Sequence, residues 1–133
     1  MTDPRQAIQE GIFDALNGAG LTALVDPAET DSLPYTVFGG GTLAPGPMTT
    51  KTTEGGDVTH TMVSWATTPT VAQANASTGL SAITDRTAGL AVTGYYLVMC
   101  RPEFGGEIIR DNTDPNDIIY GVPYRVRVVV KQV

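Results

Sequence analysis

The sequence predicts an α+β fold: a mainly antiparallel sheet with two helices packed on one face. Three observations carry the expectation. Apolar residues recur at helical spacing in two separate stretches, one at the start of the chain and one in its middle. Alternating faces mark a strand around Thr59 and a longer one at the C-terminus. The order is helix, strand, strand, helix, then two or three strands, which suits a sheet covered on one side.

The opening "TDPRQAIQEGIFDALNG" reads as an amphipathic helix. Asp3 is placed to cap it, Pro4 suits the first helical position, and Gln6 follows three residues after the cap. Ile8, Ile12 and Leu16 form its apolar stripe, widened by Phe13. Asn17-Gly18 stops it and Gly20 reinforces the stop, after which Leu21 and Leu24 tuck back toward the same core.

A loop, "DPAETDSLP", leads into a short strand, "YTVFG", which starts at or after Pro34 because proline cannot donate to a ladder. The tract from Gly39 to Asp57 holds six glycines, two prolines and five threonines, and is expected to be mostly loop. "DVTHTMVSWAT" is a strand with Val58, His60, Met62 and Ser64 on one face and Thr59, Thr61, Val63 and Trp65 on the other. Thr68-Pro69 opens the second helix, whose stripe is Ala72, Ala76, Gly79 or Leu80, and Ile83. Residues this small imply a helix lying close against the sheet.

Beyond Gly89 the chain is strand-like. "AVTGYYLVMCR" and "EIIRD" are separated by a turn at "PEFGG", and "DNTDPND" interrupts before the last strand. There Tyr120, Val122, Tyr124, Val126, Val128 and Val130 share one face, and Arg125, Arg127 and Lys131 the other. Pro123 suggests an edge position or a bulge.

With 133 residues, no internal repeat and no linker, one domain spanning 1–133 is expected. Only 17% of residues are charged, and the balance of 8 basic against 14 acidic gives a net charge of -6. That acidity argues against direct binding to nucleic acid or an anionic membrane. No apolar run is long enough to span a bilayer, and the first residues lack the basic and apolar segments of a secretory signal.

Catalytic, metal and cofactor signatures are all weak, and none of the three is expected. The single histidine, His60, lies mid-strand without a nucleophile motif beside it. The single cysteine, Cys100, lies in a strand and reads as a structural thiol. "DNTDPND" has alternating Asn112, Asp114 and Asn116 but lacks the glycine and closing glutamate of a calcium loop, so a side-chain-capped turn is expected. "FGGGT" lacks the lysine of a phosphate loop. Glu103 and Glu107 flank Phe104-Gly105-Gly106, a loop spacing that does not by itself make an acid–base pair.

Over nearly its full length the chain resembles the small tail-completion, or tail-terminator, proteins of long-tailed bacteriophages and gene-transfer particles. The resemblance runs through the leading helix and "ALVD", "LPYTVFG", "THTMVSWAT" with its following helix, and "RDNTDPNDIIYGVPYRVRV". It implies a structural protein without covalent chemistry, made in the bacterial host cytoplasm and located at the head-proximal end of the virion tail. There it would form a ring, usually of six subunits, stop tube polymerisation and offer a surface for head joining. The implied partners are further copies of itself, the major tail tube protein, and a head–tail connector or neck protein.

A connector or minor adaptor without length control, and a small enzyme, are the alternatives. Ring surfaces would come from sheet edges and long loops. Candidate interface residues are therefore Thr49 and Lys51, then Arg101, Phe104 and Arg110, and finally Arg125 and Arg127, whose fixed forks suit carboxylates. A solvated sheet face is the plainer alternative for the two arginines of the last strand.

Overall fold

The computed structural model describes residues 4–24, 33–44, 55–84, 90–104, 107–113 and 115–132. They form α1 (Arg5–Gly18), β1 (Ala23–Leu24), β2 (Tyr35–Ala44), β3 (Gly55–Ala66), α2 (Pro69–Thr84), β4 (Tyr95–Phe104), β5 (Ile109–Asp111) and β6 (Ile119–Gln132). The α+β class holds. The strands make one sheet in the order β1-β2-β3-β6-β4, with β5 also pairing with β6. Every pairing is antiparallel except the short one between β1 and β2.

The expected stripe of α1 is fully buried at Ile8, Ile12 and Leu16, while Phe13 remains partly exposed and meets Phe38 with ring centroids 6.3 Å apart. The expected cap at Asp3 lies outside the described residues. Pro4 is the N-cap, without a side-chain cap bond, and its carbonyl accepts from Ile8 N at 3.0 Å. Proline's fixed φ already suits the first turn, and it has no N–H there to satisfy. At the other end Gly20, at φ 83°, lets the chain reverse. Gly20 N then donates to the Asn17 carbonyl and Leu21 N to the Leu16 carbonyl, closing the helix in a Schellman arrangement.

α2 starts as the sequence predicts, with Val71 N donating to Thr68 Oγ1 at 3.3 Å. Its buried residues are Ala72, Ala76, Gly79 and Ile83. The close approach to the sheet is real: a Cβ at Gly79 would lie 2.6 Å from Tyr124 Oη and 3.0 Å from Leu16 Cδ2. α2 lies over β3, β4 and β6, and α1 packs against α2, β1 and β2. The core between helices and sheet joins the α1 stripe to Val58 and Met62 of β3 and to Tyr124, Val126, Val128 and Val130 of β6.

Several expectations are corrected. Both ends of the glycine-rich tract are strand, since β2 runs to Ala44 and β3 begins at Gly55, with Gly41–Ala44 pairing with His60–Asp57; residues 45–54 lie outside the described residues. An irregularity between Phe38 and Gly41 takes up the glycines. β4 starts only at Tyr95, after a turn with Gly94 at φ 86°, and continues through Pro102 and Glu103 to Phe104. Pro102 to Phe104 of "PEFGG" are thus strand and not turn, and its two glycines lie outside the described residues.

Pro123 does not mark an edge. β6 is an interior strand, paired with β3 from Tyr120 to Lys131. On its other side the β4 ladder ends at Tyr124 and the β5 ladder begins at Gly121, leaving a gap in which Pro123 sits. A proline is tolerated where one ladder is interrupted.

Candidate functional site

Continuous register between β3 and β6 fixes which side chains share a face. The helices cover the side carrying Val58, His60, Met62, Tyr124 and Val126. No described helix or strand lies over the opposite side, which has two halves. Tyr35, Val37, Val63, Trp65 and Pro123 form an apolar half near the start of β6. Toward the end of β6 the face is mixed, with Thr59, Thr61, Arg125, Arg127 and Lys131 joined by Arg101 and Glu103 of β4 around Met99 and a buried Val129.

Three of the candidate arginines therefore meet. Arg127 forks onto Asp57, a diagonal neighbour across the β3–β6 ladder, with Nε 2.9 Å from Oδ1 and 3.2 Å from Oδ2; Nη2 also donates to Oδ2. These hydrogen bonds hold the Asp57 carboxyl below the usual carboxylate range, against partial opposition from burial and with help from the arginine's charge. Arg125 faces Glu103 loosely at 3.9 Å, both exposed, and such a pair contributes little to stability. Arg101 stands directly opposite Arg127 in the β4–β6 ladder and is exposed. Among the described residues it has no ion-pair partner.

Arg110 is not part of this group. It pairs with Tyr120 in the β5–β6 ladder and so lies on the helix-covered side of the sheet. Phe104 occupies the last β4 position, opposite Tyr124. Thr49 and Lys51 lie outside the described residues. Sequence reasoning put Trp65 and Val63 on one face of β3 without saying which face the helices cover or seeing that Tyr35, Val37 and Pro123 extend that patch. It also missed Tyr96, Leu97 and Val98, 60%, 41% and 50% exposed on β4. A run of four apolar residues, "YYLV", reads as a buried strand, so the sequence carried no signal for their exposure.

The cysteine and the acidic turn each have local partners. Burial pushes the Cys100 thiol up to about 11, and Sγ donates weakly to the Ile83 carbonyl at 3.6 Å. Asp111 accepts from Thr113 N at 3.0 Å and Thr113 Oγ1 at 2.7 Å, the side-chain-capped turn that "DNTDPND" suggested. Those bonds keep its carboxyl below the ordinary range. Among the described residues no three His, Cys, Asp or Glu side chains converge to hold a metal. No described helix is long and apolar enough to cross a membrane.

His60 is fully buried, and neither ring nitrogen has a hydrogen-bond partner of ordinary geometry. Burial lowers its pKa from 6.5, with the Arg5 backbone pulling the other way. The imidazole is thus neutral in the folded chain and protonates more readily in the unfolded one. Stability from this residue is present above about pH 6.5 and is lost as pH falls from there toward the folded pKa. The unfolding free energy from chemical denaturation should therefore drop as pH falls below 6.5, by at most ~1.4 kcal/mol per pH unit, and the midpoint with it. The slope should vanish in His60→Leu. The depressed Asp57 and Asp111 act in the same direction, but only below the ordinary carboxylate range. A wild-type midpoint that is flat from pH 7 to 5 would contradict the buried, neutral assignment.

No protein-family model matches the chain, and no curated protein matches it. Among solved structures it is similar to a chain of the "virion of native gene transfer agent (GTA) particle", with a TM-score of 0.62 over 93% of this chain and 96% of that one. The two are 17% identical, so the likeness is one of fold, and it extends over essentially the whole of both chains.

Proposed function

We propose that this chain is a structural component of a phage-like or gene-transfer virion, and within it a tail-completion protein. In this reading it forms a ring, of six subunits, on the head-proximal end of the tail tube. It stops tube growth there and presents a surface to a neck or connector protein. The observation that carries the reading is the end-to-end fold likeness to a chain of a gene transfer agent virion, together with a sheet face over which no described helix or strand lies.

The geometry supports assembly over catalysis. The charged groups on this face are arginines and a lysine ranged along strands, two of the arginines facing Asp57 and Glu103. Arg127 is held in place by Asp57, which fixes the fork as part of the surface. Arg101 and Arg125 keep exposed guanidinium groups that can meet carboxylates of a neighbouring subunit or of the tube.

Adding the purified chain to polymerising tube subunits tests this reading. Growth should stop at one end, with the chain bound there. A connector without length control would bind the same end while the lengths continue to increase. Absence of any binding to tubes would remove the proposal.

A further inference from the structure

We propose that the uncovered sheet face seats an amphipathic helix of a different protein, apolar toward one end and acidic toward the other. The proposal deepens the assembly reading above and takes from it only that the partner is another protein of the particle.

The apolar half of this face spans four strands. Tyr35, Trp65, Gly121 and Ile109 form one row of the ladders, and Val37, Val63 and Pro123 form the next. Trp65 lies over Gly121, where a Cβ would come within 2.8 Å of its ring at Cζ3. Ile109 is 42% exposed, and the other side chains are half-buried with no described helix or strand above them. A contiguous apolar patch of this kind marks a docking surface.

An occupant here is recognised by side chains. β3 and β6 are paired on both sides over most of their length, so their backbone groups are spent in ladders, and Pro123 has no N–H. An extended segment laid over Trp65 and Val63 would bury its own N–H and C=O groups without partners. A helix brings those groups already satisfied. From the Gly121 row to the Arg127 row the face runs about 20 Å along β6, which a helix of about 13 residues spans.

Charge sets the sign and the direction of that helix. In the mixed half, Arg101, Arg125, Arg127 and Lys131 outnumber Asp57 and Glu103, in a chain whose net charge is -6. Arg127 spends its fork on Asp57, Arg125 meets Glu103 only at 3.9 Å, and Arg101 has no ion-pair partner among the described residues. At the apolar end the next position of β5 on this face is acidic, Asp111. The partner's carboxylates therefore belong over the arginines and its apolar turns over Trp65. Asp57 and Glu103 interrupt the basic rows and would repel a continuous phosphate backbone. Carboxylates three or four residues apart on a helix reach the arginines between them. Neither described helix of a second copy has the pattern: α1 buries its apolar stripe in its own core, and α2 has no charged residue from Pro69 to Thr84.

Trp65 is the chain's only tryptophan and lies in the proposed seat, so its fluorescence reads occupancy. The probe is a synthetic helical peptide of about 13 residues, with leucines on one face of its first two turns and glutamates on the same face of its last two. A second peptide carries lysine in place of each glutamate. The glutamate peptide should change Trp65 emission saturably at micromolar concentration, weaken as salt rises, and bind about tenfold tighter than the lysine peptide. Arg101→Glu should weaken the glutamate peptide about tenfold, with Arg125→Glu as a second charge variant. Ile109→Ser should weaken both peptides, and each variant should keep the native far-UV circular dichroism. Equal binding of the two peptides, or no saturable change up to millimolar peptide, would overturn the proposal. So would a change in Trp65 emission on concentrating the chain alone, which gives the face to a second copy. Tighter binding of a single-stranded oligonucleotide in place of the peptide would give the arginines to a phosphate polymer and overturn it equally. Peptide binding by a chain that ignores tube ends would remove the tail-completion reading alone, and capped tube ends with no peptide binding would remove this proposal alone.

Discussion

Val126→Asp is expected to abolish the folded state. Val126 is fully buried at the middle of the central strand, between His60 of β3 and Pro102 of β4. An ionised carboxylate there loses its water, which costs several kcal/mol even after relaxation. The whole stability of a domain this size is about 5–15 kcal/mol. The imidazole opposite does not rescue it, because an ion pair would require two buried charges in place of a neutral ring and a methyl pair. Val128→Asp, which faces Val58 and Cys100, should fail in the same way. Val126→Thr keeps the shape and should fold with a loss of about 1–3 kcal/mol for its buried hydroxyl. Far-UV circular dichroism and a urea midpoint decide the matter. A folded Val126→Asp with a near-native midpoint would contradict the assignment of faces on β6.

The second large effect is expected at the contact between α2 and the sheet. Gly79→Ala places a methyl 2.6 Å from Tyr124 Oη, 3.0 Å from Leu16 Cδ2 and 3.3 Å from Tyr124 Cζ. Helix propensity alone would favour alanine by about 0.8–1 kcal/mol. Overpacking against a central strand costs about 1–3 kcal/mol and should win, because neither the strand nor α1 can withdraw freely. Tyr124 adds a diagnostic. Its hydroxyl is buried without a hydrogen bond of ordinary geometry, although the nearby Thr36 side chain tempers the rise of its pKa to about 12.

Tyr124→Phe therefore removes an unsatisfied group and should be neutral or stabilising. In the double variant the phenylalanine clears the closest clash, so Gly79→Ala should cost less in that background than in the wild type. Thermal midpoints of the four proteins give the coupling. Strict additivity would mean that Tyr124 Oη is not what confines Gly79.

These two predictions concern features that differ in how far the sequence foretold them. The faces of β6 were legible because valine and arginine alternate from Arg125 to Val128, and the α1 stripe because its period is helical. The small-residue face of α2 announced a close approach, though not the residue it would meet. Other features lacked any local signal. β1 is two residues long, and the glycines of β2 show no alternation, so that strand is defined by its partner β3. The rank of β6 as the central strand depends on pairings between distant segments, and Pro123 pointed the wrong way because the interruption it tolerates lies between β4 and β5.

The candidate surface divides along the same line. Arg125 and Arg127 followed from alternation. The fork onto Asp57 is a diagonal contact between strands separated by α2, β4 and β5 in the chain, and no spacing rule reveals it. Arg110 was grouped with the other arginines by nearness in sequence, and the register of β5 turns it to the opposite side.

The length of tail tubes in particles produced without this chain tests the central claim most directly. The account predicts tubes that run past their normal length, carrying no completed upper end and no joined head. Tubes of unchanged length would contradict it, and heads left unjoined on tubes of normal length would assign the chain to connection in place of completion.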